Sequence, residues 1–94
     1  SGQPRIVRYG DLSIEVRPQG KMIVLTNKDT PGVIGQIGTL LGLNGVNIAD
    51  MRVGRMAPHG EAVMVLTVDE EISAEVRRKL EALPGITSVR WVKL

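Results

Sequence analysis

Asn27 and Asp29, two residues apart on a polar turn, set an amide and a carboxylate just ahead of Thr30-Pro31-Gly32-Val33-Ile34. The turn follows an apolar run and opens a helix-patterned segment. The backbone N–H groups of Gly32, Val33 and Ile34 are therefore expected in a first helical turn, where they have no intrahelical acceptor. They sit at the positive end of the helix dipole, which favours an anion such as a carboxylate. The Asp29 carboxylate can pair with an ammonium. Asn47, just beyond the helix, could offer an amide from a neighbouring strand or across a subunit interface. Anion-binding N–H groups, a carboxylate and amides together describe a site for a small zwitterion such as a free amino acid. On the residues alone a plainer reading stays open, with Asp29 a turn former and Asn47 an ordinary post-helix residue.

Other chemistry finds little to use. The chain has no cysteine, which removes disulfides, thiol nucleophiles and thiolate metal sites. Its single histidine, His59, sits in Pro58-His59-Gly60 and reads as turn chemistry. Asp69-Glu70-Glu71 read as acids that cap or solvate the start of a second helix, not as a metal site. Gly32-Val33-Ile34-Gly35-Gln36-Ile37-Gly38 lacks the spacing of a dinucleotide loop, and its glycines fall inside the helix. No catalytic residue, metal or cofactor is therefore assigned to this chain. Nucleic acid is not expected either. With one Trp, one Tyr and no Phe, a sheet has almost nothing to stack on bases. Gly35-Gln36-Ile37-Gly38 mimics a GXXG clamp but lies within a helix. The net charge of +2 is scattered, and Arg77-Arg78-Lys79 reads as a solvated helix face. No apolar run approaches the ~20 residues of a membrane span, and no signal-peptide pattern opens the chain. No membrane partner and a cytoplasmic location are the expectation. The chain opens on Ser1-Gly2 and not on Met, and is read as a fragment or processed end, with Ser1-Gly2 as a tag remnant.

The elements that position these residues follow from patterning. Ninety-four residues suffice for one small domain with a thin core, which without Phe must be Val, Ile, Leu and Met. Residues 5–9 and 12–16 read as a hairpin around Gly10-Asp11, needing something to pack on, such as a domain outside the chain. Residues 17–20 read as a linker, so that 1–20 is the tail of a preceding domain and 21–94 the compact one. Met22 to Thr26 is a central strand. Thr30 is the expected N-cap and Pro31 the first helical residue. Apolar positions 33, 34, 37, 40 and 41 give helical spacing, and Gly45 stops the helix. Gly35, Gly38 and Gly42 share one flank of that helix, each costing about 1 kcal/mol relative to Ala. They predict a close approach, either by a neighbour in the same domain or by a helix of a second subunit. Asn47 to Met56 is a strand with Ala49, Met51 and Val53 on one face and Asp50 and Arg52 on the other. Glu61 to Val68 is apolar on both faces, which predicts a central strand under a second layer. Ser73 caps a second helix with Val76, Leu80 and Leu83 apolar, Pro84-Gly85 ends it, and Ile86 to Leu94 is the last strand. The fold class is α+β: a ferredoxin-like β-α-β-β-α-β unit, a four-stranded antiparallel sheet with both helices on one face, preceded by a β-hairpin.

Asp29-x-Pro31-Gly32-Val33-Ile34 followed by Gly45-Val46-Asn47-Ile48 resembles the ACT domain, a module that binds amino acids and regulates metabolic enzymes. Pro31 to Gly42, Gly45 to Arg55, Gly60 to Asp69 and Leu83-Pro84-Gly85-Ile86 are most similar to the C-terminal regulatory domains of D-3-phosphoglycerate dehydrogenases. A related module ends the β chain of iron–sulfur L-serine dehydratases. The resemblance implies a non-catalytic feedback sensor of L-serine, with NAD used only by the parent enzyme of serine biosynthesis. It also implies a homodimer formed side by side, with the effector between two copies. It places the ligand groups at Asn27, Asp29 and Asn47, with the N–H groups of Val33 and Ile34 holding ligand or loop. Asn27 departs from the His or aromatic residue often found there. A dimerisation module without a ligand is the alternative.

Overall fold

The computed structural model describes residues 5–9, 12–16, 20–28, 30–55 and 60–93. The Gly10-Asp11 turn, residues 17–19 of the linker, Asp29 and the His59 turn, all singled out above, lie outside the described residues. The elements are β1 (Arg5–Tyr9), β2 (Leu12–Val16), β3 (Lys21–Lys28), α1 (Val33–Leu43), β4 (Ile48–Arg55), β5 (Glu61–Val68), α2 (Ala74–Glu81) and β6 (Ile86–Lys93). From β3 onward the order is β-α-β-β-α-β, and the four strands form one antiparallel sheet in the order β4-β5-β3-β6.

The interior strands β3 and β5 carry the core because their side chains are covered on both faces. Ile23 and Leu25 of β3 and Met64 and Leu66 of β5 point to the helices, meeting Val33, Ile37 and Leu41 of α1 and Val76 and Leu80 of α2. Both helices therefore lie on one face. On the other face Met22, Val63 and Val65 pack against Ile14 of β2. The β1–β2 hairpin, paired from Arg5↔Val16 to Tyr9↔Leu12, thus supplies the second layer itself. Within this chain it finds support on the sheet.

Local signals set the start of α2 and the end of α1. The Ser73 hydroxyl accepts the Val76 N–H at 3.2 Å, a side-chain N-cap. At the other helix, Gly45 adopts φ 74, its N–H bonds Gly42 O, and the Val46 N–H bonds Leu41 O at 2.9 Å. This is a Schellman stop, closed by the burial of Val46 with Leu41.

Three expectations are corrected. The N-cap of α1 is Gly32, not Thr30, and Pro31 lies outside the helix. Gly32, at φ 90 and ψ −14, has third-position geometry of a type II turn, in which Pro is favoured one residue earlier. Thr30-Pro31-Gly32 is spent on the turn, and the helix begins at Val33 without a side-chain cap. In β4 the register shifts between Ile48, opposite Val68, and Asp50, opposite Thr67. Ala49 is the extra residue of a bulge, so Ile48, not Ala49, joins Met51 against the core. Finally, a Cβ built at Gly35, Gly38 or Gly42 meets nothing within 4 Å. Among the described residues no neighbour makes the close approach that the glycine flank predicts.

Candidate ligand site at the start of helix α1

β3 carries Asn27 on the helix-bearing face, two residues beyond Leu25, at the end from which the chain turns into α1. A register irregularity against β6 falls between Thr26 and Asn27. The strand end is clamped there: the Lys28 N–H donates to Gly85 O at 2.8 Å, and the Thr30 N–H donates to Lys28 O at 2.8 Å. Any other residue at Gly85 is strained, since it sits at φ 90 and its Cβ position lies 3.1 Å from Val33 Cγ2. This α2–β6 turn is part of the site's frame, and sequence reading took it only as a helix stop.

Asn27 is 4% exposed. Its Nδ2 donates to Lys28 O at 3.0 Å, and its Oδ1 is buried without a hydrogen-bond partner among the described residues. A buried acceptor left unmade costs about 1–3 kcal/mol, so this oxygen is the least satisfied polar atom of the strand. Next along the chain stands the bare start of α1. Its first intrahelical bond runs from the Gln36 N–H to Gly32 O at 2.9 Å. The N–H groups without an intrahelical acceptor are therefore those of Val33, Ile34 and Gly35, one residue later than the sequence suggested. The first turn contains no acidic residue to answer the helix dipole. Val33 is buried and Ile34 is 47% exposed, so the latter side chain borders the opening. Asp29 belongs to this loop in sequence.

Asn47 is elsewhere. It precedes Ile48, which pairs with Val68, whereas Asn27 pairs with Ala62. Six residues of β5 separate those positions, roughly 20 Å at strand rise. Asn27 and Asn47 thus stand at opposite ends of the sheet within one chain. Asn47 is exposed and held by the acids of the β5–α2 loop. Its N–H donates to Glu70 Oε1 at 2.7 Å, and its Nδ2 donates to Asp69 Oδ2 at 2.7 Å. Asp69 and Glu70 therefore position Asn47 and do not cap α2. Glu71 turns instead to Lys93, whose ammonium at 2.7 Å holds the Glu71 carboxyl below the ordinary carboxylate range. Among the described residues no helix is long and apolar enough to cross a membrane.

The model of the ACT domain family matches residues 21–85, which hold the whole frame just described. This chain belongs to the ACT domain family. The ACT domain is 39% identical over 90 residues to the D-3-phosphoglycerate dehydrogenase of Bacillus subtilis (strain 168), covering 96% of this chain and 17% of that protein. It is 37% identical over 93 residues to the chloroplastic D-3-phosphoglycerate dehydrogenase 3 of Arabidopsis thaliana, covering 99% of this chain and 16% of the relative. With the enzyme of Methanocaldococcus jannaschii it shares 35% over 94 residues, the whole of this chain and 18% of the relative. The chain thus spans about a sixth of the length of the curated relatives it matches. Among solved structures, the ACT domain from GTP pyrophosphokinase of Chlorobium tepidum superposes with a TM-score of 0.61 at 19% identity, over 77% of this chain and 95% of that one. The C-terminal domain of the MgtC protein from Mycobacterium tuberculosis gives 0.60 at 14%, over 84% and 94%. At those identities the likeness is one of fold alone.

Proposed function

We propose that this ACT domain is the amino-acid-sensing part of a D-3-phosphoglycerate dehydrogenase, with L-serine as feedback effector. The observation that carries the reading is the orphaned Oδ1 of Asn27, buried beside a helix start that has neither a side-chain cap nor an acidic first turn. Together they suit a ligand with a donor for the oxygen and a carboxylate for the N–H groups of Val33, Ile34 and Gly35. Asp29 supplies the charge for the ammonium. The parent enzyme uses NAD, acts in the cytoplasm, and is regulated through this domain; the curated relatives support that choice over an iron–sulfur L-serine dehydratase.

Two copies complete the site. Asn47 reaches it only from a second chain, because it lies roughly 20 Å from Asn27 in its own. Strand β4 is an edge of the sheet, with Val53 46% exposed, and the glycine flank of α1 is uncovered. Antiparallel pairing of β4 with its copy brings the start of one β4 to the end of the other. The second copy's Asn47 then arrives at the end of the sheet where Asn27 stands, and the glycine flank admits the second helix.

Isothermal titration of the purified chain with L-serine tests the proposal. Saturable heat is expected for the wild type. It should be reduced more by Asp29→Ala than by Asn27→Ala, because hydrogen bonds to charged groups are about twice as strong as neutral ones. No heat with serine, from a chain that sediments as a dimer, would leave a dimerisation module without this ligand.

A further inference from the structure

A cavity of about 250 Å³ opens at the other end of the sheet, between the starts of β3 and α2 and the end of β6. Its apolar lining includes Ile23, Val68, Ile72 and Trp91. Its rim is charged, and the charges are not evenly matched. Glu71 is taken by Lys93 at 2.7 Å, and Glu70 by the Asn47 N–H at 2.7 Å. Two cations remain without a salt bridge among the described residues, though both favour the charged form of Glu71 at longer range. Lys21 Nζ stands 3.5 Å from Asp69 O, at the limit of a hydrogen bond. Arg77 donates through Nε to Ile72 O at 3.3 Å, and its guanidinium carbon lies 4.8 Å from the centre of the Trp91 ring. That bond and the stacking on Trp91 hold the guanidinium in place and leave its terminal nitrogens as donors. Trp91 is held in turn, its indole N–H donating to Glu81 Oε2 at 3.2 Å. A fixed guanidinium is a ready partner for a planar carboxylate.

We propose that this cavity is a binding site for a small organic carboxylate with an apolar body, distinct from the site at the start of α1. The body lies on Ile23, Ile72 and Trp91, and the carboxylate takes the terminal nitrogens of Arg77 with Lys21 beside it. Size narrows the class. A cavity of 250 Å³ has room for about eight waters at ~30 Å³ each, which suits a short branched or cyclic monocarboxylate better than a nucleotide. A zwitterion gains less here, since both carboxylates of the rim already have donors.

Trp91 is the only tryptophan of the chain, so its fluorescence reports on this cavity directly. The probe is 4-methylpentanoate, titrated at constant ionic strength into the purified chain, with 4-methylpentanamide as the uncharged control and L-leucine as the zwitterionic one. A saturable change in Trp91 emission is expected with the acid. It should weaken at least tenfold with the amide, and weaken at least tenfold in Arg77→Met and in Lys21→Met. Asp29→Ala should leave it unchanged, which separates this site from the serine site. Each variant is checked for the wild-type circular dichroism spectrum, and Arg77→Lys, which keeps the charge, should recover part of the response. Equal responses to acid and amide would overturn the proposal, as would a stronger response to L-leucine than to the acid. No response to the acid at 10 mM would also overturn it.

Discussion

Replacing Asn27 by leucine separates a ligand-directed orphan from a structural amide. The two side chains branch alike at Cγ, so the change exchanges the amide for two methyl groups at nearly constant shape. Asn27 is 4% exposed, and its Oδ1 has no partner. Removing that oxygen relieves about 1–3 kcal/mol. Losing the Nδ2 bond to Lys28 O costs about 0.5–1.5 kcal/mol. The Lys28 carbonyl is not orphaned, because it still accepts the Thr30 N–H at 2.8 Å. The net expectation is a more stable domain by about 1 kcal/mol, a rise in Tm of roughly 4–8 °C for a chain of this size. Thermal unfolding by circular dichroism, with and without L-serine, is the assay. The variant should melt higher than the wild type in the absence of serine, and its further rise on adding serine should shrink. A Tm lower than wild type by more than about 4 °C would refute the reasoning, since Oδ1 would then be satisfied in the unliganded protein.

Gly85→Ala should destabilise by about 1–3 kcal/mol, because φ 90 is unfavourable for alanine and its Cβ would stand 3.1 Å from Val33 Cγ2; chemical denaturation measures it. Leu41→Ala, at a side chain fully buried under the Schellman turn, should cost about 2–5 kcal/mol by the same assay. Glu71 has a depressed pKa in the folded chain, caused first by its hydrogen bond to Lys93. Its contribution is therefore present above the unfolded pKa and fades as pH falls through the lower folded value. Carbon-detected NMR titration of the Glu71 carboxyl should show that low midpoint, and Lys93→Met should raise it toward the ordinary range.

The sequence is most readable where a residue's neighbours in the chain decide its role. Ser73 and Gly45 were legible because a hydroxyl cap and a left-handed stop depend on the adjacent turn alone. β5 was legible as doubly covered because no exposed strand reads Ala-Val-Met-Val-Leu. Gly32 was not, because Thr30 and Pro31 are equally good helix starters and good turn residues, and the strand end just before them is bonded to Gly85, 57 residues away in sequence. Ala49 was missed because alternation read from a sequence cannot reveal an extra residue. At the candidate site, Asn27 was identified from its spacing to Asp29, but its unpartnered oxygen depends on the packing of α1 and the α2–β6 turn. The acids that hold Asn47 lie in a loop that its own neighbourhood gives no reason to connect with it.

The strand that organises the sheet is the first of its four to be synthesised and among the last to be fully paired. β3 bonds to β5 and β6, and its second partner ends about 65 residues after β3 itself is complete. At 5–20 residues per second that interval is about 3–13 s. Until β5 emerges, a strand as apolar as Met-Ile-Val-Leu has neither sheet neighbour, and its β6 side stays open for the whole interval. A nascent chain of this kind has its most aggregation-prone segment waiting longest for cover, which makes β3 the natural place for a chaperone to bind during synthesis.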